Sequence, residues 1–265
     1  MERSWKAFLA GSETGHAVQI YRDVDELAGS VGDFLAAGLA EGAPAVVIVT
    51  PDHWQGFSLR LESLGWVTST LQRDGLLTVA DADETLAAFM DEGAPSAATF
   101  EQVVGGLVDG IATAFPGKRI RAFGEMVNVL SLNGQMQAAL ELEELWNRLA
   151  QTRDFSLLCG YELDVFDRAA QVEPLPGVCH AHSHVLPAFD APRLARAVDR
   201  ALAEVLGTEQ AGKVYLLVGD QSRQNKIPIP QLALMWVSEN MPVLANRVLA
   251  TARANYDQTQ LAPAS

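Results

Sequence analysis

Cationic residues are scarce in this chain. Its 265 residues hold 19 lysines and arginines against 33 aspartates and glutamates, a formal net charge of −14. A surface that grips nucleic acid needs a basic patch to meet the phosphates, so general nucleic-acid binding is not expected. Cysteine is equally sparse: Cys159 and Cys179 are too few for a disulfide framework. Apolar runs such as residues 46–49 fall far short of the ~20 residues that span a bilayer. Residues 1–15 carry Glu2 and Glu13 and no apolar stretch of the secretory type, which predicts a cytoplasmic protein with no membrane partner. No G-x-S-x-G elbow marks a nucleophilic serine, and no pair of carboxylates stands out by its spacing.

A 49% share of hydrophobic residues with 20% charged is that of an ordinary globular protein. The length suits one large domain, or one plus a small one. Charge divides the chain unevenly. Residues 1–189 hold 26 acids and 11 bases, residues 190–265 seven acids and eight bases. The change coincides with Pro174, Pro176 and Pro187, and predicts a boundary near residue 188 after an irregular stretch.

Before that boundary, strand-like and helix-like segments alternate. Residues 17–21, 45–50, 76–80, 119–123 and 155–161 read as strands, and the β-branched run at 45–50 has the pattern of a strand buried on both faces. Residues 25–41, 52–64, 81–90, 100–115 and a long helix through 141–149 read as helices. In 25–41 the apolar residues Leu27, Val31, Phe34, Leu35 and Leu39 recur at helical spacing. Such alternation predicts an α/β fold, a mostly parallel sheet with helices on both faces. After residue 190 the alternation stops. Leu194, Val198, Leu202 and Val205 share one helical face, residues 213–219 lean to helix, and Pro230 and Pro242 each precede a further helix, over 231–240 and 243–255. A small helical unit over 190–257 is expected, with a polar tail that frays after Tyr256.

Several stretches resemble a known family, in the family's order. They are His16-Ala17-Val18-Gln19-Ile20-Tyr21, then Asp25-Glu26-Leu27 and Phe34-Leu35-Ala36-Ala37-Gly38-Leu39, then Ala45-Val46-Val47-Ile48-Val49-Thr50-Pro51-Asp52-His53. Phe123-Gly124-Glu125-Met126-Val127, Leu142-Glu143-Glu144-Leu145-Trp146-Asn147 and Phe155-Ser156-Leu157-Leu158-Cys159-Gly160-Tyr161 follow. The set resembles the MEDS domain, the sensory domain of methanogen proteins and of the dichloromethane-responsive repressor of methylotrophs, over residues 15–187. The resemblance implies a RecA/KaiC-like core and a small-molecule sensor for hydrocarbon derivatives rather than an enzyme, with no cofactor expected. The remaining residues lie outside it.

A RecA-like fold grips phosphate in a G-x-x-x-x-G-K-[ST] loop after its first strand. Here residues 21–27 hold no glycine, no lysine and three carboxylates, so a triphosphate finds neither close backbone approach nor a cation. The C-terminal edge of a parallel sheet is where such folds take ligands. That rule points to Tyr21, Asp25, Thr50, His53 and Glu125, with Arg22 and Asp23 as neighbours. His16, at the start of the first strand, joins them as a candidate. The competing readings are a satisfied structural histidine at His16, a half-buried aromatic at Tyr21, and a helix-capping role for Glu125. Asn128 and Trp146 are weaker candidates, Trp146 fitting a core position better.

One further cluster stands out. His180, His182 and His184 alternate after Cys179, and on an extended strand they would share a face and could hold zinc or another transition metal. This supports an alternative reading as a metal-dependent enzyme or metalloprotein, with Glu125 or Asp190 as acid or base; the plainer reading is a solvated linker. In the sensory reading the C-terminal helices relay the ligand state to a signalling protein partner, or dimerise to give a homodimer. In the segment from Pro230 to Asn255 only Arg247 and Arg253 are cationic, which is thin for contact with DNA.

Overall fold

The computed structural model describes residues 2–186, 190–225 and 227–258. It opens with α1 (Glu2–Leu9), β1 (His16–Tyr21), α2 (Val24–Ala40), β2 (Ala45–Val49), α3 (Pro51–Ser63), α4 (Thr68–Arg73), β3 (Leu77–Asp81) and α5 (Ala82–Ala87). A short hairpin of β4 (Met90–Asp91) and β5 (Ala94–Pro95) leads into α6 (Ala97–Phe100), which continues through a π-helical turn at Glu101–Gly105 into α7 (Gly106–Ala114). Then come β6 (Ile120–Gly124), α8 (Met126–Leu132), α9 (Met136–Ala150), β7 (Phe155–Glu162), α10 (Arg168–Val172), α11 (Pro174–Ala181) and β8 (His184–Leu186). Four helices close the chain: α12 (Ala191–Leu206), α13 (Thr208–Asn225), α14 (Ile229–Asn240) and α15 (Pro242–Gln258).

The main sheet has six strands in the order β3-β2-β6-β7-β1-β8. β2 pairs in parallel with β3 on one side and β6 on the other, and β6 pairs in parallel with β7. The α/β expectation is therefore met, with a mostly parallel sheet and helices around it. Contacts group the chain into two compact units. The first joins Glu2–Gln19 to Asp23–Glu162; the second joins Ile20–Arg22 to the chain from Leu163 onward.

In the first unit every residue of β2 and β6 is buried, as the apolar runs require when helices cover both faces. Asp23 starts α2 by accepting the Asp25 N–H at 2.8 Å, and Gly42 (φ +68°) leaves it in the left-handed conformation that glycine adopts without strain. Pro51 occupies the first turn of α3, where its missing N–H costs nothing. Arg121 of β6 is buried inside this unit, its guanidinium 4.1 Å over the Phe34 ring. Gly38 makes room for it: a Cβ there would lie 2.4 Å from the Arg121 side chain.

In the second unit α12 packs along α15. Arg193 donates through Nε to the Tyr256 carbonyl at 2.7 Å and lies 3.9 Å over the Tyr256 ring. Gln231 and Gln171 meet through a 3.1 Å hydrogen bond between their buried amides.

Two local readings change. The helix expected over 81–90 stops at Ala87, because Glu92 and Gly93 both take positive φ (46° and 87°) and turn the chain into the β4–β5 hairpin. Two consecutive positive-φ residues are the hallmark of a tight hairpin turn. Residues 174–181, expected irregular, form α11: proline is tolerated in a first helical turn. The short helices α1, α4, α8 and α10 have too few turns to show a clear period. The boundary near residue 188 and the tail beyond 258 lie outside the described residues.

Candidate functional site

Two buried polar clusters form within the first unit. The first spans the C-terminal ends of β2 and β6. These strands are adjacent, and the chain leaves them in opposite directions, from β2 through α3 and α4 toward β3, from β6 through α8 and α9 toward β7. That reversal is a topological switch point, where open α/β sheets form their ligand crevice. Thr50 is the first residue after β2 and Glu125 the first after β6. Glu125, 2% exposed, accepts through Oε2 from the Thr50 N–H at 2.8 Å and the Thr50 hydroxyl at 3.0 Å. Its own N–H donates to the Ile48 carbonyl at 2.9 Å, fixing the backbone across the two strands.

His53, in the first turn of α3 and half-buried, sets Nδ1 against Glu125 Oε1. The hydrogen bond to Glu125 raises its pKa above the usual histidine value; burial opposes this, and the charges of Glu125, Glu162 and Asp52 reinforce it. A histidine with a raised folded-state pKa contributes stability that is complete below the unfolded value of ~6.5 and is lost as pH climbs through the folded value. The denaturation midpoint is therefore expected to fall as pH rises above ~6.5, and His53→Asn should flatten that slope. An unchanged slope in the variant would show that other groups set it.

The second cluster lies under α9. His16 heads β1, Cys159 and Tyr161 share one face of β7 by strand alternation, and Glu143 and Asn147 lie one turn apart on α9. Glu143 is fully buried. Its Oε1 accepts from the Tyr161 hydroxyl at 2.9 Å, and its Oε2 lies 3.2 Å from His16 Nε2 and 3.9 Å from Cys159 Sγ. His16 Nε2 is also 3.2 Å from Cys159 Sγ, while His16 Nδ1 meets Asn147 Oδ1 at 3.0 Å. Burial, reinforced by the Glu143 charge, lifts both the Cys159 thiol and the Tyr161 phenol well above their usual ranges. At neutral pH both keep their protons.

The structure thus unites Thr50, His53 and Glu125, and sets His16 with Glu143, Cys159, Tyr161 and Asn147. Asp25 is exposed in the first turn of α2. Tyr21 is buried and belongs to the second unit, where its carbonyl accepts from the Leu163 N–H at 3.3 Å. Asn128 is structural, its Oδ1 taking the Glu162 N–H at 2.8 Å. Trp146 is core, edge-on to Phe100 at 5.3 Å.

The three alternating histidines do not lie on one strand. His180 is exposed near the end of α11 and bonds back to the Pro176 carbonyl at 2.6 Å; His182 caps that helix and bonds to the Val178 carbonyl at 2.6 Å; His184 begins β8 beside the Ser183 hydroxyl at 2.9 Å. Helical backbone through Ala181 breaks the alternation that a shared face needs, and the three form no common ligand group among the described residues.

Glu143 and Cys159 were not legible as site residues, although one signal was present. Glu143 falls at helical spacing among Ala139, Leu142 and Trp146, all buried, and a carboxylate inside an apolar stripe requires partners.

No helix among the described residues is long and apolar enough to cross a membrane. A comparison with curated proteins returned no match. The model of the MEthanogen/methylotroph, DcmR Sensory domain matches residues 15–175, more than half of the chain, and the protein belongs to this family of sensory domains, MEDS.

Proposed function

We propose that this protein is a non-enzymatic sensor that binds a small molecule, a hydrocarbon derivative carrying a hydroxyl or amine, in the crevice between the ends of β2 and β6. One observation carries the reading: a buried carboxylate, Glu125, bridges the switch point of the sheet and faces Thr50 and His53. Thr50 is the fixed partner, held by backbone. His53 is the exchangeable one, being half-buried at a helix start. A ligand donor that takes the place of His53 on Oε1 releases the imidazole, and the two arrangements differ in ligand affinity, as a sensor requires.

The start of α2 speaks against a nucleotide. Asp23 already caps it, Asp25 and Glu26 occupy its first turn, and these charges repel a phosphate from the helix end that would otherwise attract it. The C-terminal helices would relay the ligand state to a signalling protein or a second copy of the chain, in the cytoplasm.

Thermal melting against small alcohols, amines, halocarbons, ATP and GTP tests this. A ligand at 100 times its Kd adds about 2.7 kcal/mol by mass action. An alcohol or amine is expected to raise the melting temperature, and the nucleotides and the donor-free halocarbons to leave it unchanged. Stabilisation by ATP or GTP alone would replace the hydrocarbon reading with a nucleotide one.

A further inference from the structure

We infer that His16, Glu143 and Cys159 form a transition-metal centre, with zinc the best-fitting ion. The inference is independent of the ligand crevice at Thr50 and Glu125. Three elements, β1, α9 and β7, each send one donor to a common point, and the donor atoms lie within 4.8 Å of one another. The triangle Nε2–Oε2–Sγ has edges of 3.2, 3.2 and 3.9 Å. Zinc bonds of ~2.0 Å to nitrogen and oxygen and ~2.3 Å to sulfur, at tetrahedral angles, place such donors about 3.3–3.6 Å apart. The side chains match that geometry to within a few tenths of an ångström without a rotamer change.

The neighbours hold the donors in the orientation that a metal needs. With Asn147 Oδ1 as acceptor, the hydrogen of His16 sits on Nδ1 and the Nε2 lone pair points inward. The Tyr161 hydroxyl occupies Glu143 Oε1 and leaves Oε2 toward the centre. Outer partners of this kind, on both a histidine and a carboxylate ligand, recur in metal sites and fix tautomer and orientation. Simple structural polarity does not require three different donor atoms to converge on one point in the interior, where all three residues are buried.

The charge also balances. In the metal-free protein Cys159 is a thiol. On binding, the Cys159 S–H bond breaks, an S–metal bond forms, and the proton passes to solvent. A divalent ion with one thiolate, one carboxylate and one neutral imidazole is neutral overall, the form that a buried site accommodates at least cost. Mixed nitrogen, oxygen and sulfur donors favour zinc, cobalt or copper over magnesium and calcium, which take oxygen.

The test uses the full chain, stripped with chelator and refilled with zinc or cobalt(II). The expected result is one metal per chain by plasma emission. The cobalt form should show a thiolate-to-cobalt charge-transfer band. Cys159→Ser should abolish the charge-transfer band, Glu143→Gln should weaken binding at least ~10-fold, and Asn147→Ala, which only orients His16, by ~10–100-fold. Glu125→Ala should leave the stoichiometry unchanged, separating this site from the crevice. His180→Ala with His184→Ala should leave the band intact. X-ray absorption of the zinc-loaded unmodified chain gives a readout that does not depend on a variant folding, and one sulfur scatterer among nitrogen and oxygen is expected. Failure of the unmodified chain to take up metal, a shell without sulfur, a band that survives Cys159→Ser, or metal lost with His180 and His184 would each overturn the assignment.

Discussion

Replacing Arg121 with methionine is expected to destabilise the protein by about 3 kcal/mol, one of the largest effects of any polar-to-apolar change in the chain. Arg121 is 4% exposed, and the acceptors that its guanidinium meets are carbonyls: Phe34 at 3.1 Å, Phe8 at 3.4 Å and Leu9 at 2.7 Å. Burial pushes its pKa down to about 10 against a partial restoring effect from Glu41, so it remains charged at neutral pH. Two of the three carbonyls close the C-terminal end of α1, where a cation complements the helix dipole. The stack continues through Phe34 to Phe8, whose rings lie 5.2 Å apart.

Methionine fills much of the same volume but donates nothing. It leaves buried carbonyls unpaired, at a cost of ~1–3 kcal/mol each when no water reaches them. At this chain length the change should lower the melting temperature by about 6–12 °C. Limited proteolysis should cut first near α1, which loses its anchor. Gly38→Ala offers an independent check, since its Cβ would meet Arg121 Cγ at 2.4 Å, and it should lose stability in wild type far more than in an Arg121→Ala background, which has no Cγ to meet. A loss below ~1 kcal/mol in Arg121→Met would mean that the carbonyls find other donors.

The order of strands and helices was visible in the sequence because the first unit is built by burial on both faces. Residues 45–49 are continuous apolar chain for that reason, and Leu27, Val31, Phe34, Leu35 and Leu39 of α2 face the sheet and are buried. Elements set by backbone geometry rather than by a hydrophobic period were not visible. The β4–β5 turn depends on Glu92 adopting a positive φ, which a glutamate does not announce. The helix α11 begins at a proline that reads as an interruption.

The site divides in the same way. Thr50, His53 and Glu125 follow from the rule that ligands gather where parallel strands end, and the structure places them in contact. The His16–Glu143–Cys159 cluster depends on which face of α9 meets β7, a tertiary fact. Cys159 lies in an apolar strand, and Glu143 stands beside a second glutamate, Glu144, that is exposed. Only the burial of Glu143 separates them.

Removing the Glu125 side chain should have a comparable effect on stability and a complete one on sensing. Glu125→Ala leaves the Thr50 N–H and hydroxyl without their acceptor and strips His53 of the partner that raises its pKa. Hydrogen bonds to a charged acceptor contribute ~1.5–3 kcal/mol each, and they share one carboxylate here, so the summed loss should be about 3 kcal/mol rather than three separate losses. Glu125→Gln keeps an acceptor for Thr50 and loses the ion pair. His53 is partly exposed and its share is screened by solvent, so this variant should lose about 1 kcal/mol.

The two substitutions also separate the ligand classes. A neutral hydroxyl ligand donates as well to an amide oxygen as to a carboxylate, and its thermal shift should survive Glu125→Gln in reduced form. A protonated amine needs the charge, and its shift should vanish. Both shifts should be absent in Glu125→Ala measured below its own, lower, melting temperature. A ligand that stabilises Glu125→Ala as much as the wild type binds elsewhere, and the crevice between β2 and β6 is then only the place where two strands are tied together.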